Sequence, residues 1–234
     1  MNDDSKDLID LQDLTNLKKM LKSNLWPNAL SEEELKESKE EKVKNVLINI
    51  PNIENMDIAC FADDADIFIK EIMKAKANKV VCFSLNKNIN PFKIEESNQI
   101  GIVTNNKNEL VGNGPFDIII CYDFLEHTGE SPENWLSFMK NIRKTNGPIY
   151  LRAHPFNSRY HDHNLANKAY SHLVFTDSEK LKIGCPSGKK PCKELLTENE
   201  YFKLFYSLEL SIIERNIIDH PIEEEMFIKT SIIS

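Results

Sequence analysis

Residues 116–127 read FDIIICYDFLEH and form the most strand-like segment of the chain. The run from 116 to 122 is almost continuously apolar, as expected of a strand buried on both faces of a sheet. Three residues with titratable side chains follow it at once: Asp123, Glu126 and His127. Because ligands bind at the carboxyl ends of strands in open α/β sheets, the segment predicts a central strand that leads into a functional site.

Short apolar runs and helix-like stretches alternate on both sides of this segment. This alternation is typical of a mostly parallel sheet with helices on both faces. The strand-like runs lie at 56–60, 80–85, 100–104 and 148–153, and the helix-like stretches at 65–75, 135–144 and 198–208.

The last two strand-like runs, 209–218 and 226–233, are separated by only seven residues that include Pro221. This leaves no room for a crossover helix, so the two runs should pair as an antiparallel hairpin. We therefore predict an α/β fold, doubly wound and Rossmann-like, with a mostly parallel seven-stranded sheet that ends in an antiparallel hairpin.

The first 34 residues differ from the rest in their pattern of apolar residues. Leucines recur there at helical spacing, Pro27 ends that pattern, and Ser31 with Glu34 forms a capping-box signature for a second helix that runs to about Ile50. We predict an N-terminal helical extension over 1–34 and one α/β domain over 35–234.

Composition limits the function classes. The formal net charge of −8 argues against broad binding of nucleic acid. No apolar run is long enough to span a bilayer, and the acidic start has no export signal, so we expect a cytoplasmic protein. The five cysteines fit reduced thiols: Cys60, Cys82 and Cys121 as buried groups, Cys185 and Cys192 in a surface loop.

Three segments resemble the class I S-adenosylmethionine-dependent methyltransferases. They are MDIACFAD with VVCFSLN (56–63 and 80–86), FDIIICYDFLEH (116–127), and GPIYLR (147–152). The segment RAHPFNSR (152–159) is also similar to uncharacterised methyltransferase-like proteins of phages. The resemblance covers roughly residues 35–234 and implies methyl transfer from S-adenosylmethionine.

The loop after the first strand departs from the family pattern. Small residues there let the cofactor approach the backbone, but this chain has Phe61 and Asp63 at two of those positions. If the cofactor binds, we expect the Phe61 ring to turn from the loop and pack under the first helix of the unit. The resemblance implies six cofactor-binding positions: Asp57, Ala59, Ala62, Ser84, Asn105 and Asp123.

Polar and cationic side chains cluster after the fifth strand-like run. Guanidinium groups suit a carboxylate or phosphate, so the cluster favours a small or anionic substrate. We expect His127 or His154 to accept the proton of the acceptor group, and Arg152, Arg159 and His161 to hold the substrate. The pair His161 and His163 lacks a third ligand at a known spacing, so we expect no metal site.

Two other interpretations stay open. The altered loop also fits a catalytically inactive methyltransferase fold that serves as a binding or assembly partner. A nucleotide-binding oxidoreductase is less well supported, since the glycine fingerprint is missing and the hairpin is atypical. The sequence does not specify the oligomeric state.

Overall fold

A computed structural model of the chain describes Lys19 and residues 38–86, 89–96, 98–153, 196–220 and 223–232, the last strand pair from residue 216 onward by its backbone. These residues form a mixed α/β structure around one eight-stranded sheet. The predicted N-terminal extension lies almost wholly outside the described residues and stays a prediction.

Five strands of the sheet are parallel, in the spatial order β4-β2-β1-β5-β6, and the C-terminal hairpin continues it. Strand β8 pairs antiparallel with β6, and β7 pairs antiparallel with β8 at the edge. The strands are β1 (Asp57–Phe61), β2 (Lys79–Phe83), β3 (Phe92–Glu96), β4 (Gln99–Thr104), β5 (Ile118–Tyr122), β6 (Ile149–Ala153), β7 (Leu210–His220) and β8 (Glu223–Ile232).

Helices pack on both faces of the sheet, as predicted, and the side chains of each strand alternate between two apolar cores. Ile58 and Cys60 of β1 face the core that includes α1 and α2, whereas Ala59 and Phe61 face the core that includes α4 and α5. The helices are α1 (Lys39–Ile48), α2 (Ala65–Lys74), α3 (Lys107–Asn113), α4 (Pro132–Ile142) and α5 (Glu198–Ser207).

The predicted count of seven strands is not confirmed, because β3 adds an eighth. It pairs antiparallel with β4 at the far edge of the sheet. Its Lys93, Glu95 and Glu96 are exposed, which suits an edge strand, since charged side chains discourage pairing with other chains.

The helix predicted to run from Ser31 to Ile50 begins instead at Lys39, within the described residues. Ser38 has an extended backbone, and its hydroxyl accepts a hydrogen bond from the Glu41 N–H while the Glu41 carboxylate accepts one from the Ser38 N–H. This capping box satisfies two N–H groups of a helix start, so α1 has its own beginning here. The predicted box at Ser31 lies outside the described residues.

Candidate functional site

The carboxyl ends of β1, β2, β4 and β5 lie together along one edge of the sheet. The strand register pairs Phe61 with both Phe83 and Cys121, and Phe83 with Thr104, so these strands end at nearly the same level. We call the residues just beyond these ends (62–64, 84–86, 105–107 and 123–127) the carboxyl rim. In open α/β sheets such an edge is where ligands bind.

Asp123 begins the rim after the central strand β5. Its backbone is left-handed, with a φ of 44°, which is uncommon outside glycine but tolerated by aspartate. Two contacts with Arg152 of β6 hold it: the Asp123 N–H donates to the Arg152 carbonyl at 3.1 Å, and the Arg152 Nη1 donates to the Asp123 carboxylate at 3.2 Å. Backbone strain of this kind concentrates at functional sites, where surrounding contacts maintain it.

The Arg152 side chain is engaged within the protein. Besides Asp123 it hydrogen-bonds to the Tyr122 hydroxyl, and its guanidinium carbon lies 4.7 Å from the centre of the Tyr122 ring. In the structure the side chain supports Asp123, and its predicted role in substrate binding stays a prediction.

Phe61 lies at the end of β1 with its ring fully buried. The ring centre is 6.0 Å from that of Phe83, 5.5 Å from Phe124 and 6.0 Å from Trp135. The expectation that it packs under the first helix of the unit is therefore wrong. Odd-numbered positions of β1 face the opposite core, so the ring packs towards α4, whereas α2 covers the other face.

This packing creates an aromatic cluster beneath the rim, centred on Trp135. The indole lies 4.9 Å from the Phe124 ring, nearly perpendicular to it, and 5.3 Å from the Phe83 ring. Edge-to-face geometry of this kind is the favourable one for aromatic pairs. The cluster consists of Phe61, Phe83, Phe124, Trp135 and Phe138.

Three predicted cofactor positions are buried: Ala59 in the middle of β1, and Ala62 and Ser84 just beyond the ends of β1 and β2. The Ala62 N–H donates to the Phe83 carbonyl at 3.2 Å, which ties the first loop to β2. The Ser84 hydroxyl donates to the Asp63 carbonyl at 3.3 Å and accepts from the Asn86 N–H at 3.0 Å. These groups connect the rim loops to one another.

Asp57, a fourth predicted position, begins β1 at the opposite edge of the sheet. Its carboxylate accepts a hydrogen bond from Asn78 at 2.6 Å and lies 3.4 Å from the Lys79 ammonium. Asp57 therefore does not lie on the rim, because it is at the amino end of β1 and the rim lies beyond the carboxyl end.

Asn105 and His127 do lie on the rim. The Asn105 side chain follows β4 and is exposed. His127 is half-buried and ends a short 3₁₀ turn, Leu125–His127; its N–H donates to the Phe124 carbonyl at 3.0 Å. His154, Arg159 and His161 lie outside the described residues, as do Cys185 and Cys192, and these stay predictions.

Lys107, at the start of α3, was not identified from the sequence, and it lies over the aromatic cluster. Its ammonium is 3.7 Å from the centre of the Trp135 ring, 5.9 Å from that of Phe138 and 2.9 Å from the Glu130 carboxylate. No sequence signal connects a lysine to a tryptophan 28 positions later. The adjacency of Lys107 to the predicted residue Asn105 was the available hint.

Cys60, Cys82 and Cys121 are buried, reduced thiols, as predicted. Burial raises the pKa of the Cys121 thiol well above its usual value, and the nearby charges of Glu126 and Asp123 raise it further. A thiol with a raised pKa is a poor nucleophile. All three cysteines lie in the two apolar cores and contribute to their packing. Among the described residues there is no cluster of His, Cys, Asp or Glu that could hold a metal ion, and no helix there could cross a membrane.

Comparison with known proteins identifies the fold. No protein-family model matches the chain, and no curated protein matches it either. Among solved structures, a methyltransferase dependent on S-adenosylmethionine from Mesorhizobium loti is similar over 80% of this chain and 95% of its own, with a TM-score of 0.57 and 8% identity.

Two further similar structures contain S-adenosylhomocysteine. One is a 1,6-didemethyltoxoflavin-N1-methyltransferase from Burkholderia thailandensis, similar over 94% of this chain and 87% of its own (TM-score 0.52, 9% identity). The other is a magnesium protoporphyrin IX methyltransferase from Synechocystis PCC 6803, similar over 83% of both chains (TM-score 0.50, 12% identity). The fold is therefore that of the S-adenosylmethionine-dependent methyltransferases, and these bound ligands are consistent with an S-adenosylmethionine cofactor.

Some groups of the rim can bind this cofactor, whereas others are already engaged within the protein. The Asn105 amide and the Asp123 carboxylate can bind its amine and hydroxyl groups. The Phe61 ring packs in the aromatic cluster, and the Ala62 N–H is bonded to the Phe83 carbonyl, so both groups are already engaged within the protein.

Proposed function

We propose that this chain is a cytoplasmic protein that binds S-adenosylmethionine across the carboxyl rim and transfers its methyl group to a small or anionic acceptor. The observation that carries the proposal is Asp123, which has a left-handed backbone and lies on the carboxyl rim directly after the central strand β5. Ligands of open α/β sheets bind beyond the carboxyl ends of the strands, which supports a ligand-binding role for this residue.

When bound, the cofactor supplies a methyl group activated by its positive sulfur. The Asn105 side-chain oxygen accepts a hydrogen bond from the adenine amine, and the Asp123 carboxylate accepts one from a hydroxyl or ammonium group of the cofactor. Arg152 maintains the orientation of Asp123. His127 or His154 accepts the proton of the acceptor group, while Arg159 and His161 bind an anionic acceptor.

Calorimetric titration with S-adenosylmethionine and S-adenosylhomocysteine tests the proposal. The Asp123→Asn variant keeps a residue that tolerates the left-handed backbone but removes the charge. We expect it to bind the cofactor about ten- to 150-fold more weakly, the usual effect of a hydrogen bond to a charged group. Asn52→Ala, at another left-handed position that precedes β1, is the matched control and should bind normally.

A second function is favoured by two specific observations. The Phe61 ring supplies packing at the loop, and Arg152 is paired with Asp123 within the chain, as expected of a catalytically inactive fold that acts as a binding or assembly partner. This alternative predicts no heat of binding at millimolar cofactor for the wild-type protein. Saturable binding by the wild-type protein, weakened by Asp123→Asn, would exclude it.

A further inference from the structure

Lys107, Trp135 and Glu130 form a compact arrangement around one positive charge. The Lys107 ammonium lies 3.7 Å above the centre of the indole ring and 2.9 Å from the Glu130 carboxylate. An aromatic face and a carboxylate together are the chemistry that binds organic cations. The two charged side chains are about half exposed, whereas the Trp135 ring below them is 1% exposed.

The position of this arrangement is also that of a ligand site. Lys107 is a residue of the carboxyl rim, and Trp135 is in contact with aromatic side chains at or just beyond the ends of β1, β2 and β5. Lys107 therefore covers the aromatic cluster at the edge where an α/β sheet binds its ligands.

We infer that Trp135, Phe138 and Glu130 form a binding site for an onium group, a sulfonium or quaternary ammonium cation, which the ammonium of Lys107 occupies when no ligand is bound. A primary ammonium is compact and strongly hydrated. An alkylated onium ion is less strongly hydrated, so it loses less hydration free energy when it leaves water. It therefore replaces the Lys107 ammonium over the ring, and Lys107 moves into solvent. The inference requires an onium ligand only and does not depend on methyl transfer.

Fluorescence of Trp135 tests the inference directly. The chain has two tryptophans, so Trp26→Phe leaves Trp135 as the single reporter. Tetramethylammonium chloride is titrated at constant ionic strength, and neopentyl alcohol, a neutral molecule of similar shape, is titrated in parallel. We expect saturable quenching by tetramethylammonium and none by the alcohol at the same concentrations.

Lys107→Ala removes the resident cation and should tighten tetramethylammonium binding about two- to thirtyfold, the range of a cation–π contact. Lys93→Ala is the matched control, because Lys93 is also an exposed lysine paired with a carboxylate, that of Glu95, and it lies on the edge strand β3. It should leave binding unchanged. If circular dichroism shows Lys107→Ala to be misfolded, Lys107→Gln keeps the alkyl stem and should tighten binding within the same range.

Equal affinity for tetramethylammonium and neopentyl alcohol, or no tightening in a folded Lys107 variant, would overturn the inference. Titration of S-adenosylmethionine in the same assay separates it from the proposed function. Binding of tetramethylammonium without binding of S-adenosylmethionine supports the onium site and contradicts the methyltransferase proposal. If S-adenosylmethionine binds equally well to the wild type and to Lys107→Ala, and tetramethylammonium gives no response, the methyltransferase proposal is supported and the onium site is contradicted.

Discussion

Replacing Phe61 with alanine should strongly destabilise the protein. The ring is fully buried, and its centre lies 5.5–6.4 Å from those of Phe83, Phe124, Trp135 and Phe138. Removing a buried phenylalanine ring costs about 3–5 kcal/mol, since transfer free energy is lost and a cavity remains. For a chain of this length that free energy corresponds to a fall in Tm of about 6–20 °C.

Urea unfolding followed by far-ultraviolet circular dichroism measures this free energy, and an unchanged m-value would show that the unfolding reaction is the same. Tyr206→Ala is the control, because that ring is 81% exposed and its loss should change the free energy of unfolding by about 0.5 kcal/mol or less. A loss below about 1 kcal/mol for Phe61→Ala would refute the reasoning that this ring holds the ends of β1, β2 and β5 together. Added benzene should restore part of the stability by filling the apolar cavity.

Three further predictions concern the scaffold. Gly147→Ala should prevent normal folding, because a Cβ there would lie 2.6 Å from the Asp117 carbonyl oxygen; expression level and Tm measure the effect. Gly112→Ala has open space around the Cβ and should instead raise stability by about 0.5–1 kcal/mol. Burial raises the pKa of Asp117, but hydrogen bonds from Lys144 and a backbone N–H outweigh this effect and lower it below 3.8. The stability contributed by that carboxylate should thus be present above about pH 4 and lost at lower pH, so Asp117→Asn should lose less stability than the wild type between pH 5 and pH 2 in urea unfolding. In a variant that lacks Cys185 and Cys192, a thiol reagent should label nothing until the protein unfolds, since the remaining three thiols are buried: Cys60, Cys82 and Cys121.

The sheet could be predicted because its strands carry strong patterns. Continuous apolar runs such as the one in β5 have few alternatives to a doubly covered strand, and the short connection before β8 leaves only an antiparallel hairpin. Strand β3 was missed because its sequence, FKIEE, has only two apolar residues. The alternation of Phe92 and Ile94 with charged residues is nevertheless the pattern of a strand covered on one face, and it was the signal available.

The candidate site was less predictable, because its geometry depends on contacts between distant segments. The sequence places Asp123 and His127 after a buried strand, but it does not show that Arg152 would bind the Asp123 carboxylate. Nor does it show which helix covers Phe61. Residue alternation in β1 assigns Phe61 to the same face as Ala59, and the tertiary structure decides that α4 rather than α2 packs there.

The aromatic cluster holds the strand ends of the rim together. A glycine at position 61 would leave the ends of β1, β2 and β5 without a shared packing partner. In this chain the Phe61 ring supplies it, at 0% exposure, so the strand ends are packed before any ligand arrives. A ligand that binds only the folded protein then stabilises it by mass action, about 2.7 kcal/mol at a hundredfold excess over its Kd.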